Sequence, residues 1–198
     1  MNINALLNLD GQKLILASAS PRRASLLTQV GFEFEVKPSE VDEDNEVYTI
    51  PENHVLELSY KKAAKVAELV NEGLIIGADT IVVLEKDILG KPRNAGEART
   101  MLARLSGNTH AVFTGLTILD KASGRIVTEY ERTDVTFRSL SENEIGQYVA
   151  TRSSLDKAGS YGIQDSGALF VSRVEGCFYN VMGFPLTKFY TTLRTFLN

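Results

Sequence analysis

An aspartate interrupts one of the most apolar segments of this sequence. Asp79 stands inside the run LIIGADTIVVL and follows two small residues, Gly77 and Ala78. A carboxylate within a strand is costly unless it is paired or bound to a metal ion, and the small residues leave room for a ligand beside the backbone. The alternative is an aspartate hydrogen-bonded to a turn at a strand break. We favour a functional carboxylate at this position.

A lysine lies on the apolar face of a predicted long helix, which begins after Pro51 and is expected to end near Gly73. At 100° per residue, Lys62 lies within about 40° of every apolar position of that face. Those positions are Val55, Leu58, Val66 and Leu69. Because a buried ammonium group must reach solvent or meet an anion, Lys62 either extends to water or binds an anionic ligand. In the second case its charge is expected to be costly when no phosphate is bound.

Two arginines occupy the start of another predicted helix. Ser20 and Pro21 indicate its N-cap and first helical position, so Arg22 and Arg23 lie where the helix dipole disfavours cations. An anion held by the backbone N–H groups and the guanidinium groups would explain them. The alternative is a pair of solvated surface arginines.

Three further segments carry charged or polar side chains. The turn GKPR at 90–93 bears two cations. The segment DKAGSYGIQ at 156–164 combines two glycines with a cation and an amide, which suits close approach to a polar ligand and is equally explained as a plain turn. Glu40 belongs to the stretch 33–46, which holds seven acids that are also explained as solvated loop charges. Together these candidates suit a nucleoside triphosphate and a divalent metal ion. They are Arg22, Arg23, Lys62, Lys91, Arg93 and Lys157, with Asp79 and Glu40 as the carboxylates.

Composition excludes several other classes of protein. The 198 residues, 43% hydrophobic and 23% charged, suit one globular domain over 1–198, with 1–12 as an N-terminal extension of no assigned role. The net charge is −4 and no basic stretch is present, which argues against nucleic acid as a binding partner. No apolar stretch approaches the roughly 20 residues of a membrane span, and the single Cys177 fits a reducing compartment. We therefore expect a cytoplasmic protein without a membrane partner.

The motifs exclude two kinds of site. No Walker A sequence is present, so the protein is not a P-loop enzyme. His54 and His110 have no Cys or His at ligand spacing, which argues against zinc.

The alternation of helix and strand signals predicts an α/β fold with a mixed sheet. Capping pairs begin two helices, at Asn94 with Glu97 and at Ser141 with Glu144. The other predicted elements are strands at 14–17, 74–84, 88–89, 168–174 and 178–182, a hairpin of 109–119 and 125–137, and a final helix from Pro185.

At these residues the sequence resembles the Maf family of nucleotide pyrophosphatases, specifically its dTTP/UTP pyrophosphatase branch. Six motifs follow one another in the family's order: LILASASPRR at 14–23, SEVDE at 39–43, GADTIVVL at 77–84, LGKPR at 89–93, LSG at 105–107 and DKAGSYGIQ at 156–164. The related branch that takes 7-methyl-GTP lacks the combination of SPRR with DKAG-YGIQ. One departure is Asp165, where a glycine often follows the glutamine, and little effect is expected from it.

The resemblance implies an elongated mixed sheet flanked by helices, similar to inosine triphosphate pyrophosphatases, in two lobes with a nucleotide cleft between them. It implies a divalent metal ion, Mg²⁺ or Mn²⁺, and a homodimer, since many members are dimers. Asp79 is the expected proton acceptor. Arg22, Thr80 and Gln164 are expected to select the base, with Lys157 as a further substrate contact. The expected phosphate and metal contacts are Ser18, Arg23, Glu40, Lys62 and Lys91.

The expected reaction is hydrolysis of the α–β phosphoanhydride with release of pyrophosphate. Asp79 would take the proton of the attacking water directly, or act through water on a metal ion shared with Glu40. Lys62, Lys91 and Arg23 would offset phosphate charge. Two other interpretations remain open: a nucleotide-binding regulator of septum formation with little turnover, and a phosphatase that removes the terminal phosphate.

Overall fold

The computed structural model describes residues 3–9, 11–41 and 50–198, and within these ranges the strands form one mixed sheet. The strands are β1 (Leu14–Leu16), β2 (Glu35–Val36), β3 (Leu74–Leu84), β4 (Asp87–Leu89), β5 (Thr109–Asp120), β6 (Ile126–Phe137) and β7 (Val171–Glu175). Their order is β2-β1-β3-β5-β6-β7, with β4 paired to β3. β1 is parallel to β2 and β3, whereas β4 is antiparallel to β3 and β7 is antiparallel to β6. The predicted mixed sheet is confirmed.

Helices separate most of these strands along the chain, except in the β3–β4 and β5–β6 pairs. They are α1 (Ile3–Leu6), α2 (Pro21–Gln29), α3 (Pro51–Ala67), α4 (Ala95–Leu105), α5 (Glu142–Ala150), α6 (Phe178–Val181) and α7 (Leu186–Leu197). Two 3₁₀ turns, Ala158–Ser160 and Ser166–Phe170, lie between α5 and β7. None of the helices in the described ranges has both the length and the apolar character that a membrane span needs.

The predicted helix starts are confirmed, with one difference in detail. The Asn94 side chain accepts a hydrogen bond from the Glu97 N–H, and Ser141 and Glu144 form a complete capping box. Ser20 stands at the N-cap of α2 before Pro21, but its side chain makes no capping bond.

Three predictions of secondary structure are wrong. The predicted strand 168–174 begins only at Val171, after the 3₁₀ turn Ser166–Phe170. The segment 178–182 has the aromatic and β-branched residues of a strand, yet residues Phe178–Val181 form α6. In this helix, buried Asn180 donates from Nδ2 to the Val112 carbonyl at 3.0 Å and to Thr133 Oγ1 at 3.1 Å. Helix α3 ends at Ala67 instead of near Gly73, since the apolar stripe leaves the core there and Leu69 is 55% exposed.

The chain divides into two compact units. The first comprises residues 1–79, 114–131 and 183–198, and the second comprises 80–113 and 132–182. That residues 1–198 act as a single domain stays a prediction. A core cluster of the first unit packs α3 against β1, β3 and β5 through Ile15, Ala17, Ala63, Val66, Ala67, Ile75 and Leu119.

The N-terminal extension, which had no assigned role, contributes to the buried surface of the first unit. Ile3, Leu7 and Leu9 are each buried. The second unit has its own core, formed by α4 and α5 with the adjoining parts of the sheet and the aromatic residues Phe137, Tyr148, Tyr161 and Phe170.

Candidate active site

Helix α3 lies directly on the backbone of two strands. A Cβ atom added at Gly77 of β3 would lie 2.1 Å from the Ser59 carbonyl oxygen, and one at Gly115 of β5 would lie 1.9 Å from the Val55 carbonyl oxygen. Only glycine permits this approach, because both neighbours are backbone atoms that cannot rotate away. The two glycines therefore set the distance between α3 and the sheet.

The same approach brings Lys62 to Asp79. Successive side chains of a strand point to opposite faces, so Asp79 lies on the same face of β3 as Gly77, toward the helix. Lys62 Nζ donates to Asp79 Oδ1 at 2.7 Å, and each side chain is 7% exposed. The lysine that helix geometry placed on a buried face thus meets an anion of the protein itself, which is the outcome required for a buried charge.

A histidine completes this cluster. His54 Nε2 lies 3.9 Å from Asp79 Oδ2, and the His54 side chain is only 14% exposed. Because His54, Leu58 and Lys62 are spaced by four residues, they share one face of α3. Sequence reasoning dismissed His54 as a metal ligand and missed this position, although the i, i+4, i+8 spacing from Lys62 could have indicated it.

Hydrogen-bonded hydroxyl groups, buried at Ser59 and Thr117, connect α3 to the sheet. Ser59 Oγ and Thr117 Oγ1 are 2.9 Å apart, and Thr117 Oγ1 is 3.2 Å from Thr128 Oγ1 on β6. Ser59 also donates to the Leu56 carbonyl at 2.9 Å. These bonds satisfy polar groups that would otherwise be costly to bury.

Ser18 and Arg23 form a second pre-arranged group in the first unit. Arg23 donates from Nε to the Gly183 carbonyl at 2.9 Å and from Nη1 to Ser18 Oγ at 3.0 Å, and both side chains are buried. Ser18 Oγ also accepts from the Ser20 N–H at 3.2 Å. The two Arg23 bonds fix the plane of its guanidinium group near the start of α2. The neighbouring Arg22 is half-buried.

In the second unit, the backbone connects the GKPR turn to the DKAGSYGIQ loop. The Gly159 N–H donates to the Gly90 carbonyl at 3.1 Å, which ties the residue before Lys91 to the loop that holds Lys157 and Gln164. Lys91 and Gln164 are exposed, whereas Lys157 is half-buried. Arg93 is exposed and pairs with Glu97 at 3.1 Å.

The two loop glycines lie against side chains of the protein itself. For Gly159 and Gly162 the sequence left two interpretations open, close approach by a ligand and plain turn geometry. A Cβ at Gly159 would meet the Val82 side chain at 3.0 Å, and one at Gly162 would meet Asp165 Oδ2 and Lys157 Cε at 2.7 Å each. The protein's own side chains therefore take that space.

An aromatic cluster lies beneath this loop. His110 Nε2 is 2.8 Å from the Tyr161 hydroxyl, and the His110 ring makes edge contacts with Phe137 and Tyr161. Burial lowers the pKa of His110 to about 4, and the negative charge of Asp134 opposes that shift only in part. His110 is therefore a neutral structural residue at neutral pH, in agreement with the absence of any metal-ligand spacing around it.

The remaining site predictions differ in exposure. Thr80 follows Asp79 on β3 and is half-buried. Glu40 is exposed and has a positive φ of 49°. The neighbouring acids at 42–46 lie outside the described residues. Within the described part of the chain, no group of three or more His, Cys, Asp or Glu side chains could hold a metal ion.

Fold and site together define a mixed α/β protein with a buried Lys–Asp pair under a tightly packed helix. A family model described as Maf-like protein matches residues 13–196. Curated relatives from Bacillus cytotoxicus and Bacillus cereus, both named dTTP/UTP pyrophosphatase, are each 49% identical over 185 residues, which is 93% of this chain and 96% of each relative. The chain belongs to the Maf family.

The structure of a HAM1 protein from Coxiella burnetii is also similar, with a TM-score of 0.48 at 11% identity. That match covers 93% of this chain and 99% of the other.

Proposed function

We propose that this chain is a nucleoside triphosphate pyrophosphatase that hydrolyses dTTP and UTP to the monophosphate and pyrophosphate. The observation that carries the proposal is the buried Lys62–Asp79 pair, set beneath α3 in a chain of the Maf family. The names of the relatives at 49% identity support the same activity and the same two nucleotides.

Asp79 is the proton acceptor in this proposal. Its Oδ1 is bound by Lys62 at 2.7 Å, which orients the carboxylate relative to the strand. The attacking water transfers its proton to this carboxylate as its oxygen bonds to the α-phosphorus, and the pyrophosphate group leaves. Ordering of the acceptor by a buried cation provides the fixed geometry that such a transfer requires.

Arg23, Lys62 and Lys91 offset the charge of the phosphates. The Arg23 guanidinium is already held in one plane by Gly183 and Ser18, so little freedom is lost when it meets a phosphate oxygen. Stabilisation of phosphate charge by fixed cations is the larger part of catalysis in phosphoryl transfer.

A divalent cation, Mg²⁺ or Mn²⁺, is part of the proposal, with Asp79 and Glu40 as the residues that would hold it. Mg²⁺ typically binds through one or two carboxylates together with phosphates of the substrate. Asp79 and Glu40 would supply the one or two carboxylates that this pattern requires. When bound, the cation neutralises phosphate charge and polarises the phosphoryl oxygens.

Base selection belongs to Arg22, Thr80 and Gln164 in this proposal, with Lys157 as a further substrate contact. The Gln164 amide has an acceptor and donors that match the O4 and N3–H of thymine or uracil, whereas cytosine presents the reverse pattern. A site that hydrogen-bonds its substrate rejects a mismatched analogue strongly, because buried groups are left unpaired.

Product analysis tests the function. The purified protein is incubated with dTTP, UTP, CTP, GTP and ATP, with Mg²⁺ or Mn²⁺, and the phosphate products are separated. We expect pyrophosphate from dTTP and UTP above all others. Orthophosphate would instead identify a terminal phosphatase, and binding without product would identify a regulator.

The same assay tests Gln164. The variant Gln164→Ala is expected to narrow the ratio of kcat/KM for dTTP over CTP by about tenfold, the effect of one lost selective hydrogen bond. Gln147→Ala is the matched control, since Gln147 is also an exposed glutamine of the second unit. A ratio unchanged in Gln164→Ala removes this residue from base selection.

A cytoplasmic location and a homodimer complete the proposal. Light scattering during size-exclusion chromatography measures the molar mass directly, and the 21.8 kDa of one chain would contradict the dimer.

A further inference from the structure

Both oxygens of one carboxylate are bound to the DKAGSYGIQ loop and its surroundings. Asp165 Oδ1 accepts hydrogen bonds from the Tyr148 hydroxyl at 3.0 Å and from the Gly167 N–H at 2.8 Å. Asp165 Oδ2 lies 3.4 Å from Lys157 Nζ. The Tyr148 oxygen in turn accepts from the Gly162 N–H at 3.1 Å. Asp165 thus connects both ends of the loop to helix α5.

The Tyr148 hydroxyl has a defined direction in this network. Tyr148 is buried in the core of the second unit, and its ring makes an edge contact with Phe170 at 5.0 Å between centroids. Burial, with a smaller contribution from the charge of Asp165, raises the pKa of Tyr148. Its hydroxyl therefore stays protonated and donates to Asp165 while it accepts from Gly162.

Lys157 is held on the same side of the loop. Its ammonium group donates to the Ser153 carbonyl and, at 2.8 Å, to Asp156 Oδ1. The Lys157–Asp165 pair lies directly over Gly162, where a Cβ would come within 2.7 Å of both side chains. A side chain at position 162 would therefore displace the Lys157–Asp165 pair.

Gln164 lies between two anchored neighbours. Ile163 before it is buried in the core of the second unit, and Asp165 after it is the N-cap of the 3₁₀ turn Ser166–Phe170. Gln164 itself is exposed. The backbone at Gln164 is therefore fixed on both sides while its amide faces outward.

We propose that Asp165 is a positioning residue for pyrimidine selection, which holds the DKAGSYGIQ loop preformed so that Gln164 and Lys157 meet the nucleotide in one orientation. This inference rests on the proposed function, in which that loop binds the base. A preformed loop loses less conformational freedom on binding. It also limits the movement by which the Gln164 amide could adapt to cytosine.

Kinetics with three variants test the role of Asp165. Asp165→Ala is expected to raise KM for dTTP about tenfold and to narrow the dTTP-to-CTP ratio of kcat/KM by a similar factor, with kcat changed less than twofold. Tyr148→Phe should change KM and the ratio in the same direction. The effect of the double variant Asp165→Ala/Tyr148→Phe should be smaller than the product of the two single effects, because both residues belong to one network. Asp165→Asn keeps one oxygen for Tyr148 and Gly167 but loses the charge facing Lys157, so an intermediate effect is expected.

Glu175→Gln is the matched control, since Glu175 also pairs with a cation of the second unit, Arg173, but is 69% exposed and lies outside the loop. We expect less than a twofold change from it. The ratio of two kcat/KM values does not depend on the fraction of folded enzyme, so a partly unfolded variant still gives a result. If Asp165→Ala lowers kcat but leaves KM for dTTP and the dTTP-to-CTP ratio of kcat/KM unchanged, Asp165 has only a structural role and the proposal is overturned.

Amide hydrogen exchange tests the same network without any activity. In the free protein, Asp165→Ala should accelerate exchange of the Gly162 and Gly167 N–H groups at least about tenfold relative to the amides of α4. Loss of the hydrogen bonds in this network lowers the free energy needed to open the loop locally. Unchanged exchange would overturn the proposal even if dTTP is hydrolysed. Accelerated exchange with no turnover of any nucleotide by the wild type would instead refute the proposed function alone.

Discussion

Loss of Lys62 is expected to destabilise the free protein. The sequence alone predicts that Lys62→Met is neutral or stabilising, since a buried ammonium is costly without bound phosphate. The structure reverses the sign, because Lys62 Nζ is 2.7 Å from Asp79 Oδ1 and both side chains are 7% exposed. Removal of one partner leaves the other charge buried and uncompensated, which costs about 3–5 kcal/mol.

The magnitude follows from the size of the chain. At about 2–4 °C per kcal/mol for a protein of 150–250 residues, Lys62→Met should lower the melting temperature by about 6–20 °C. The double variant Lys62→Met/Asp79→Leu leaves no buried charge, so its free energy of unfolding should return to within about 2 kcal/mol of the wild type. The expected non-additivity is the signature of a direct pair.

Circular dichroism melts at pH 7, without metal ion or nucleotide, measure this effect. Lys65→Met is the matched control on the same helix, since Lys65 is 51% exposed and pairs only at the surface with Glu68. The free energy of unfolding of Lys65→Met should differ from that of the wild type by no more than about 0.5 kcal/mol. The reasoning would be refuted if Lys62→Met had the melting temperature of the wild type. It would also be refuted if the destabilisation of the double variant equalled the sum of those of the two single variants.

Three further predictions concern Asp79, Gly115 and His110. Asp79→Asn should lower kcat for dTTP by at least about a hundredfold, the lower range for loss of a proton acceptor, whereas a folded variant at the wild-type rate contradicts the assignment. Gly115→Ala places a Cβ 1.9 Å from the Val55 carbonyl oxygen, so α3 must move. We expect Gly115→Ala to lower the free energy of unfolding measured in urea by about 1–3 kcal/mol. The control Gly90→Ala should not lower it, since a Cβ at Gly90 meets no atom within 4 Å. Equal stability of the two variants would contradict the close approach. The pKa of His110 falls from 6.5 to about 4 on folding, so the unfolded chain binds the proton first and stability is lost as pH falls between these values. When the pH is lowered from 7 to 4.5, the free energy of unfolding of His110→Phe should therefore fall by about 2–3 kcal/mol less than that of the wild type. The same pH dependence in both proteins would count against a buried neutral imidazole.

Several features of the fold could be predicted from local patterns. The 3.6-residue period of α3 placed Lys62 on a buried face, and the capping residues Asn94 and Ser141 marked helix starts that the structure confirms. Strand β3 was predicted with its observed bounds, Leu74–Leu84. These properties depend on residues close in sequence, since caps and periodicity act within a few turns.

The partner of each functional side chain depended on contacts between distant segments. Lys62 and Asp79 were both candidates from the sequence, but their pairing requires the close approach of α3 at Gly77, which no local pattern encodes. The aromatic segment 178–182 had the composition of a strand, but it forms a helix whose Asn180 is buried and bound to Val112 and Thr133, residues distant in sequence.

Asp165 shows the same division most clearly. As a sequence position it was only a departure from the family pattern, with little effect expected. In the tertiary structure its carboxylate meets Tyr148 from helix α5 and Lys157 from the loop, which gives it a role that no neighbour in sequence could indicate. The sequence by itself determined which residue types and local elements were available for chemistry. Only the tertiary structure decided which charges and hydrogen-bonding groups meet, because those contacts are selected by the packing of distant segments.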